Sequence, residues 1–374
     1  MKEIKVAVLG CGFMGKAHIY GYQTIPLYYD PDFKIKLVGV YNRTLAKAQH
    51  FKDLYNFEFA TDNEDDIFSR ADIDVINICT PNTLHKQEII KALNSKKHVY
   101  CEKPAVSSYA DMQEVLGHPN LEKVTTQTVF HNRFYPAVKR AKELIENGVL
   151  GQVLSFRGNM LHDSNSLSAK AASWRNSGGG NGGVVYDLGS HICDMIYYLL
   201  GDFDSVVTKN QIAYPTRPGS DGAPVKIDAE DASYSLVKLK NGAYGTIEVT
   251  KIATGKPGNP KLEIHGEKGA IIIDLINPNF VQCYDNTAPK GPHGGMAGFT
   301  QIQTIQHYEE DGSTFPPGNH TLGFLRAHAD CLYSFLSCVS RGKQASPSLK
   351  DSLYVQSVLE AMYKSARSGA EERV

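Results

Sequence analysis

Val6-Ala7-Val8-Leu9-Gly10-Cys11-Gly12-Phe13-Met14-Gly15-Lys16-Ala17-His18 is the stretch whose reading decides the fold. The apolar run Ile4–Leu9 predicts a buried strand, Gly15–Tyr22 predicts a helix, and G-x-G-x-x-G joins the two. Each glycine has a steric reason. Gly10 allows the tight turn, Gly12 lets the backbone approach a diphosphate, and Gly15 lets the helix pack on the strand. The helix N-terminus presents unpaired N–H groups and its positive dipole end to phosphate oxygens. The expected cofactor contacts here are Gly10, Gly12, Phe13, Met14 and Gly15.

Outward from this stretch, strand-like and helix-like segments alternate. Lys36–Tyr41, Val75–Cys79, His98–Cys101 and Lys123–Thr128 read as strands rich in β-branched residues. Leu45–Tyr55, Glu64–Phe68, Leu84–Ser95 and Ser108–Leu116 can each supply a crossover helix. Such alternation implies a parallel sheet covered on both faces. The expected first domain is therefore a doubly wound, dinucleotide-binding Rossmann domain over residues 1–130. Pro136–Glu146 predicts one more helix, closed by Asn147-Gly148. The grammar then changes. Phe156–Met160, Ser205–Ile212, Ser233–Leu239, Gly245–Thr250, Lys261–His265 and Ala270–Leu275 follow one another with turn signals such as Asn241-Gly242. They predict an α+β domain over residues 131–374, built on an open, mainly antiparallel or mixed sheet, for substrate binding and oligomerisation. Pro215–Pro224 and Thr287–Gly298 read as mobile loops. Leu322–Val339 and Leu349–Ala366 read as closing helices that can pack back on the first domain.

The 374 residues suffice for two domains and a large core without staples. A formal net charge of −1 argues against a nucleic-acid partner. The seven cysteines are scattered and never spaced C-x-x-C, which suits reduced thiols better than disulfides or zinc. The apolar run before Gly10 is too short for a signal sequence, and no segment has the length of a membrane span. A cytoplasmic protein without metal is the expectation.

The second strand ends at Val40-Tyr41-Asn42-Arg43-Thr44 with no acidic residue to bind an adenosine ribose and repel a 2′-phosphate. Asn42 suits a hydroxyl or a phosphate oxygen. Arg43 suits a phosphate or an adenine face, or simply faces solvent. The reading leans to NADP over NAD. Thr80-Pro81-Asn82, with His85 beyond, follows the buried run Val75–Cys79 at a carboxyl strand end, where such sheets hold ligands. Thr80, Pro81, Asn82 and His85, with Lys103 further on, are expected cofactor contacts: Asn82 suits the nicotinamide ribose or amide, while Thr80 equally suits a helix cap and His85 a helix face.

Strand His98–Cys101 leads into Glu102-Lys103-Pro104. The succession G-x-G-x-x-G, T-P-N-x-x-H and E-K-P resembles the Gfo/Idh/MocA family, named for glucose–fructose oxidoreductase and inositol dehydrogenase. The likeness continues at Asn132-Arg133-Phe134-Tyr135-Pro136, at Gly148-Val149-Leu150-Gly151, and at Gly182-Gly183-Val184-Val185-Tyr186-Asp187-Leu188-Gly189-Ser190-His191. It extends to Phe324–Phe335, so it covers nearly the whole chain.

Oxidising a secondary alcohol needs a base for the hydroxyl proton, a donor for the developing alkoxide and a nicotinamide beside the carbinol hydrogen. Lys103 stands at a carboxyl strand end and offers an ammonium. Asp187 and His191 stand at i and i+4, on one helix face, and histidine is the natural proton carrier near neutrality. The reading gives His191 the general-base role, Asp187 a substrate hydroxyl or the orientation of His191, and Lys103 the reacting oxygen in a shared cleft. Lys103 and His191 can exchange roles. The resemblance implies the same catalytic trio. Glu102 is a cofactor contact or holds its loop by a salt bridge. Arg133, Tyr135, Asp163, Trp174 and Arg175 are further substrate contacts.

The function implied is hydride transfer between NAD(P) and a secondary alcohol or ketone carbon of a sugar, sugar derivative or inositol. A glycoside hydrolase that borrows NAD transiently and a non-catalytic dinucleotide-binding regulator are the alternatives. The resemblance also implies a homodimer or homotetramer packed through the C-terminal sheet.

Overall fold

The computed structural model describes residues 1–173, 182–308 and 313–374. Trp174 and Arg175 lie outside the described residues. The chain divides into two compact units, one of residues 1–134 and 307–354, the other of residues 135–306 and 355–374. This differs from the expected division at residue 130, because residues 307–354 return to the first unit.

In the first unit, β1 (Lys2–Leu9), β2 (Phe33–Tyr41), β3 (Phe59–Thr61), β4 (Val75–Ile78), β5 (His98–Cys101) and β6 (Thr126–Thr128) form one parallel sheet. Its order is β3-β2-β1-β4-β5-β6. That order reverses direction after β1, and doubly wound sheets bind ligands outside the carboxyl ends at such a point. Between the strands lie α1 (Phe13–Tyr28), α2 (Leu45–Tyr55), α3 (Asp65–Phe68), α4 (Asn82–Asn94) and α5 (Tyr109–Leu116). α1 runs past the expected end at Tyr22 to Tyr28, with Pro26 inside it.

β1 explains the two covered faces. Ile4, Val6 and Val8 pack into one cluster with Tyr22, Ile25, Phe335 and Leu336. Ala7 and Leu9, on the opposite side of the strand, join Ile78, Ile89, Leu93 and Met112. Strand residues alternate faces, so an unbroken apolar run requires cover on both. The Phe324–Arg341 helix covers the same face as α1. Gly21 permits this close approach: a Cβ there would stand 3.0 Å from Leu332 Cδ2.

In the second unit, α6 (Pro136–Glu146) precedes β7 (Val153–His162), and α7 (Ser190–Leu200) precedes β8 (Phe203–Gln211). A short hairpin pairs β9 (Thr216–Pro218) with β10 (Pro224–Lys226), within the stretch expected to be a mobile loop. There follow β11 (Ala232–Leu239), β12 (Tyr244–Thr250), β13 (Pro257–Gly266), β14 (Gly269–Asp274), β15 (Phe280–Asp285), β16 (Thr300–Gln303) and β17 (Glu372–Arg373). Apart from the β9–β10 hairpin, these strands form one sheet, ordered β16-β15-β14-β13-β7-β12-β11-β8-β17. Only β7 and β12 pair in parallel within it, so the sheet is mixed and mainly antiparallel. α7 packs on β7 at Gly158, where a Cβ would fall 2.8 Å from Ile192 Cγ2. On the strands, Ile247 and Val249 turn inward while Leu154, Tyr234, Leu236 and Tyr244 are exposed.

Candidate active site

The loop after β1 has the shape its glycines require. Gly10 has φ +103°, and a Cβ there would sit 2.6 Å from the Cys79 carbonyl oxygen. At Gly15 a Cβ would meet the Gly10 carbonyl oxygen at 2.2 Å. Around Gly12 a Cβ would find nothing within 4 Å. The turn is therefore crowded on its protein side and open where a diphosphate has to approach. The first turn of α1 has neither a side-chain cap nor an acidic residue, so its N–H groups suit an anion. Phe13 is exposed beside this opening, its ring stacked with Phe324 at 6.3 Å, and Met14 is half-buried.

At the end of β2 the Asn42 carboxamide oxygen accepts from the Thr44 N–H at 3.0 Å. Arg43 is exposed. In the next turn Thr80 donates its hydroxyl to Glu88. Burial raises the Glu88 carboxyl to about 7, although the Thr80 hydrogen bond opposes the shift. Asn82 follows Pro81 as the first residue of α4, and its buried side-chain oxygen has no hydrogen-bond partner. A buried acceptor without a donor is costly, and an amide or hydroxyl of a bound cofactor would satisfy it. His85 sets both ring nitrogens against backbone carbonyls. Its Nε2 lies 2.8 Å from the Thr80 carbonyl and its Nδ1 3.0 Å from the Pro104 carbonyl. Burial lowers its pKa, so the neutral ring donates to one carbonyl at a time and ties the Thr80 turn to the Glu102–Pro104 turn.

Glu102 ends β5 at the same carboxyl edge of the sheet. Its Oε2 accepts from the Lys103 N–H at 3.1 Å, and its Oε1 accepts from His18 Nε2 at 3.1 Å. His18 Nδ1 in turn faces Asn77 Oδ1 at 2.9 Å and Cys79 Sγ at 3.1 Å. Burial opposes a charge on this ring, but Cys79 and the Glu102 carboxylate outweigh it and hold His18 well above the ordinary histidine value. His18 is carried on α1, so the helix that starts at the glycine loop also fixes the backbone of Lys103. Sequence reading missed His18, whose only signal was its position three residues after Gly15.

His328 lies beyond this pair, and ligand atoms of His18, Glu102 and His328 all fall within 4.8 Å of one another. No sequence spacing announced the group, because its members stand on three distant segments. Burial, and then the neighbouring His131, His18 and Lys103, push His328 well below the ordinary value and keep it neutral. Its ring stacks on His131 at 3.8 Å. Because His18 and Glu102 already bond each other, the group is an ion pair beside a neutral ring. Arg133 is buried, with Nη1 3.5 Å from Asp351 Oδ1.

The second unit carries the other motif. Val185–Gly189 forms a π-helical turn that runs into α7, a device often found at functional sites. It places Asp187 and His191 in successive turns. Gly183 has a clear purpose: a Cβ there would fall 2.1 Å from Glu230 Oε1. The glycine lets the buried Glu230 carboxylate reach the chain, where Oε1 accepts from the Val185 N–H at 2.9 Å and the Tyr363 hydroxyl at 2.7 Å. Burial raises Glu230 above the usual carboxylate value against these bonds and the charge of Lys251.

Lys251, directly after β12, was not anticipated. Its Nζ lies 2.7 Å from Asp187 Oδ2 and is nearly buried, with the side chain 7% exposed. Tyr135 is buried at the start of α6, and that burial pushes its hydroxyl up to about 12. Asp163 is half-buried, 3.6 Å from His162 Nδ1; no described contact joins it to Asp187 or His191.

Comparison with known proteins agrees with both halves. Residues 4–129 match the oxidoreductase-family model described as an NAD-binding Rossmann fold, GFO/IDH/MocA. Residues 142–374 match that family's C-terminal alpha/beta domain. Levoglucosan dehydrogenase of Pseudarthrobacter phenanthrenivorans is 28% identical over 98% of this chain and 97% of its own length. Myo-inositol 2-dehydrogenase of Thermotoga maritima is 24% identical over 77% of this chain and 80% of its own. A solved levoglucosan dehydrogenase, in complex with NADH and levoglucosan, superposes with a TM-score of 0.94 at 27% identity, covering 100% of this chain and 99% of that one.

Proposed function

Because the chain belongs to the Gfo/Idh/MocA oxidoreductase family, we propose that it is an NAD-dependent dehydrogenase of a sugar, sugar derivative or inositol. The observation that carries this reading is the open space over Gly12, at the uncapped start of α1 and on the carboxyl edge that also bears Asn82 and Lys103. When bound, the oxidised nicotinamide accepts a hydride from the carbinol carbon. The residues of this chain do the rest. Gly10, Gly12, Phe13, Met14 and Gly15 receive the diphosphate, and Asn82 gives its side-chain oxygen to the ribose or amide. Lys103 holds the reacting oxygen. His191 takes the hydroxyl proton as the C–H bond breaks and the carbonyl forms, and it returns the proton in reduction. Asp187 accepts from a neighbouring substrate hydroxyl or orients His191.

The sequence leaned to NADP, and that lean is not carried forward. The related solved structure holds NADH. Asn42, which would have met a 2′-phosphate, spends its oxygen on Thr44, while Arg43 stands in solvent. A panel of hexoses, pentoses, anhydrosugars and inositols, tested with NAD and NADP separately, checks the reading by nicotinamide absorbance. Turnover with NAD on at least one compound supports it, and faster turnover with NADP overturns the cofactor assignment.

The exposed face carrying Tyr234, Leu236 and Tyr244 fits a second copy of the chain, as exposed apolar patches commonly do. Light scattering on wild type and Leu236→Lys checks this, with a homodimer or homotetramer expected for wild type and a smaller species for the variant.

A further inference from the structure

We propose that Lys251 is a positioning residue of the substrate site, holding the Asp187 side chain in one orientation so that its carboxylate receives a hydroxyl of the substrate. The inference rests on the reading above and deepens it by naming what sets the acid.

The geometry is that of a fixed cation. Lys251 is pinned through its backbone on both sides: its N–H donates to the Asp231 carbonyl at 2.8 Å, and its carbonyl accepts from the Asn165 N–H at 2.7 Å. Its ammonium then reaches Asp187 Oδ2 at 2.7 Å from a nearly buried position. A surface pair with long flexible arms would contribute little. A lysine fixed at its root and dehydrated at its tip instead imposes one direction on its partner.

Glu230 approaches from the segment before β11 and is already committed to the Val185 N–H and the Tyr363 hydroxyl of the last helix. His191 faces the same region from α7, one turn beyond Asp187, and Tyr186 stacks on Tyr363 at 4.9 Å. Lys251 is the described cation against the Asp187 carboxylate. The ammonium takes Oδ2 and fixes the plane of the carboxylate. A sugar or inositol offers a second hydroxyl beside its carbinol carbon, and an ionised carboxylate is an acceptor that distinguishes such a diol from its deoxy analogue.

Lys251→Met tests the proposal, with Lys251→Arg as the conservative variant. The expected result for Lys251→Met is a KM for substrate raised about tenfold or more, with NADH affinity by fluorescence unchanged. Lys251→Arg should restore much of the loss. The preference for the diol over its deoxy analogue should shrink in Lys251→Met. A wild-type KM and an unchanged preference for the diol in Lys251→Met overturn the proposal, as does a deficit that appears only as lowered thermal stability.

A readout without substrate keeps the two readings apart. Thermal melts of wild type, Lys251→Met, Asp187→Asn and the double variant, at several pH values, measure the coupling of the two side chains. Coupling together with no turnover on any sugar or polyol counts against the proposed function alone. Absence of coupling counts against the Lys251 assignment whatever the enzyme oxidises.

Discussion

Lys103 and Asp187 are held in opposite ways. Lys103 is fixed through its main chain: Glu102 grips its N–H, and His18 on α1 grips Glu102. Asp187 is fixed through its side chain, by the Lys251 ammonium. In the first arrangement a main-chain contact does the described anchoring. In the second the functional group itself does it. Removing the ammonium of Lys103 should therefore leave the fold alone and stop the chemistry. Removing the carboxylate of Asp187 should damage both.

The largest effect tests that difference directly. Lys103→Met should lower kcat by about a thousandfold, within the range for a lost catalytic donor or acid–base group, with the melting temperature and NADH affinity unchanged. Asp187→Ala should lower turnover and also destabilise the protein by about 2–3 kcal/mol, since it strands a nearly buried lysine. Equal stability of the two variants in urea would break the comparison.

A smaller effect sharpens the first half of it. His18→Gln keeps a hydrogen bond to Glu102 and removes the buried positive charge. It should lower kcat about tenfold or more through misplacement of Lys103 and change KM for the substrate little. A fall confined to NADH affinity would show instead that His18 serves only the glycine loop.

The smallest effect concerns stability at the same carboxyl edge. Burial lifts Glu88 from 4.5 to about 7, so the folded state favours its protonated form. That contribution is complete below pH 4.5 and lost as pH rises through about 7, amounting to about 3 kcal/mol at most. Glu88→Gln should flatten the melting temperature over that interval, and an unchanged slope would assign it to another group.

Legibility in the sequence followed contiguity. The glycine loop was readable because Gly10, Gly12 and Gly15 act on a turn made by their own neighbours, and the parallel sheet because each of its buried strands is a short apolar run. β3 escaped notice, being three residues long at the edge of the sheet. Asp187 and His191 were visible as a helical pair, but nothing in that segment announced Lys251, Glu230 or Tyr363. These reach it from after β12, before β11 and along the last helix, through contacts that only folding creates. His18 was in plain view inside the opening stretch, yet its partners Asn77 and Glu102 lie 59 and 84 residues away. For residues 307–354, which lie in the first unit, the sequence offered only closing helices that can pack back on the first domain, without the contacts that hold them.

The central claim is that a hydride passes from a substrate carbinol carbon to a nicotinamide held over Gly12. Deuterium placed on that carbon, in the sugar or polyol with the best turnover, gives the most direct measurement. The account predicts deuterium on the reduced nicotinamide ring and a slowed rate with labelled substrate. Reduced cofactor free of deuterium, or tight NADH binding with no reduction of NAD by any polyol, would contradict it.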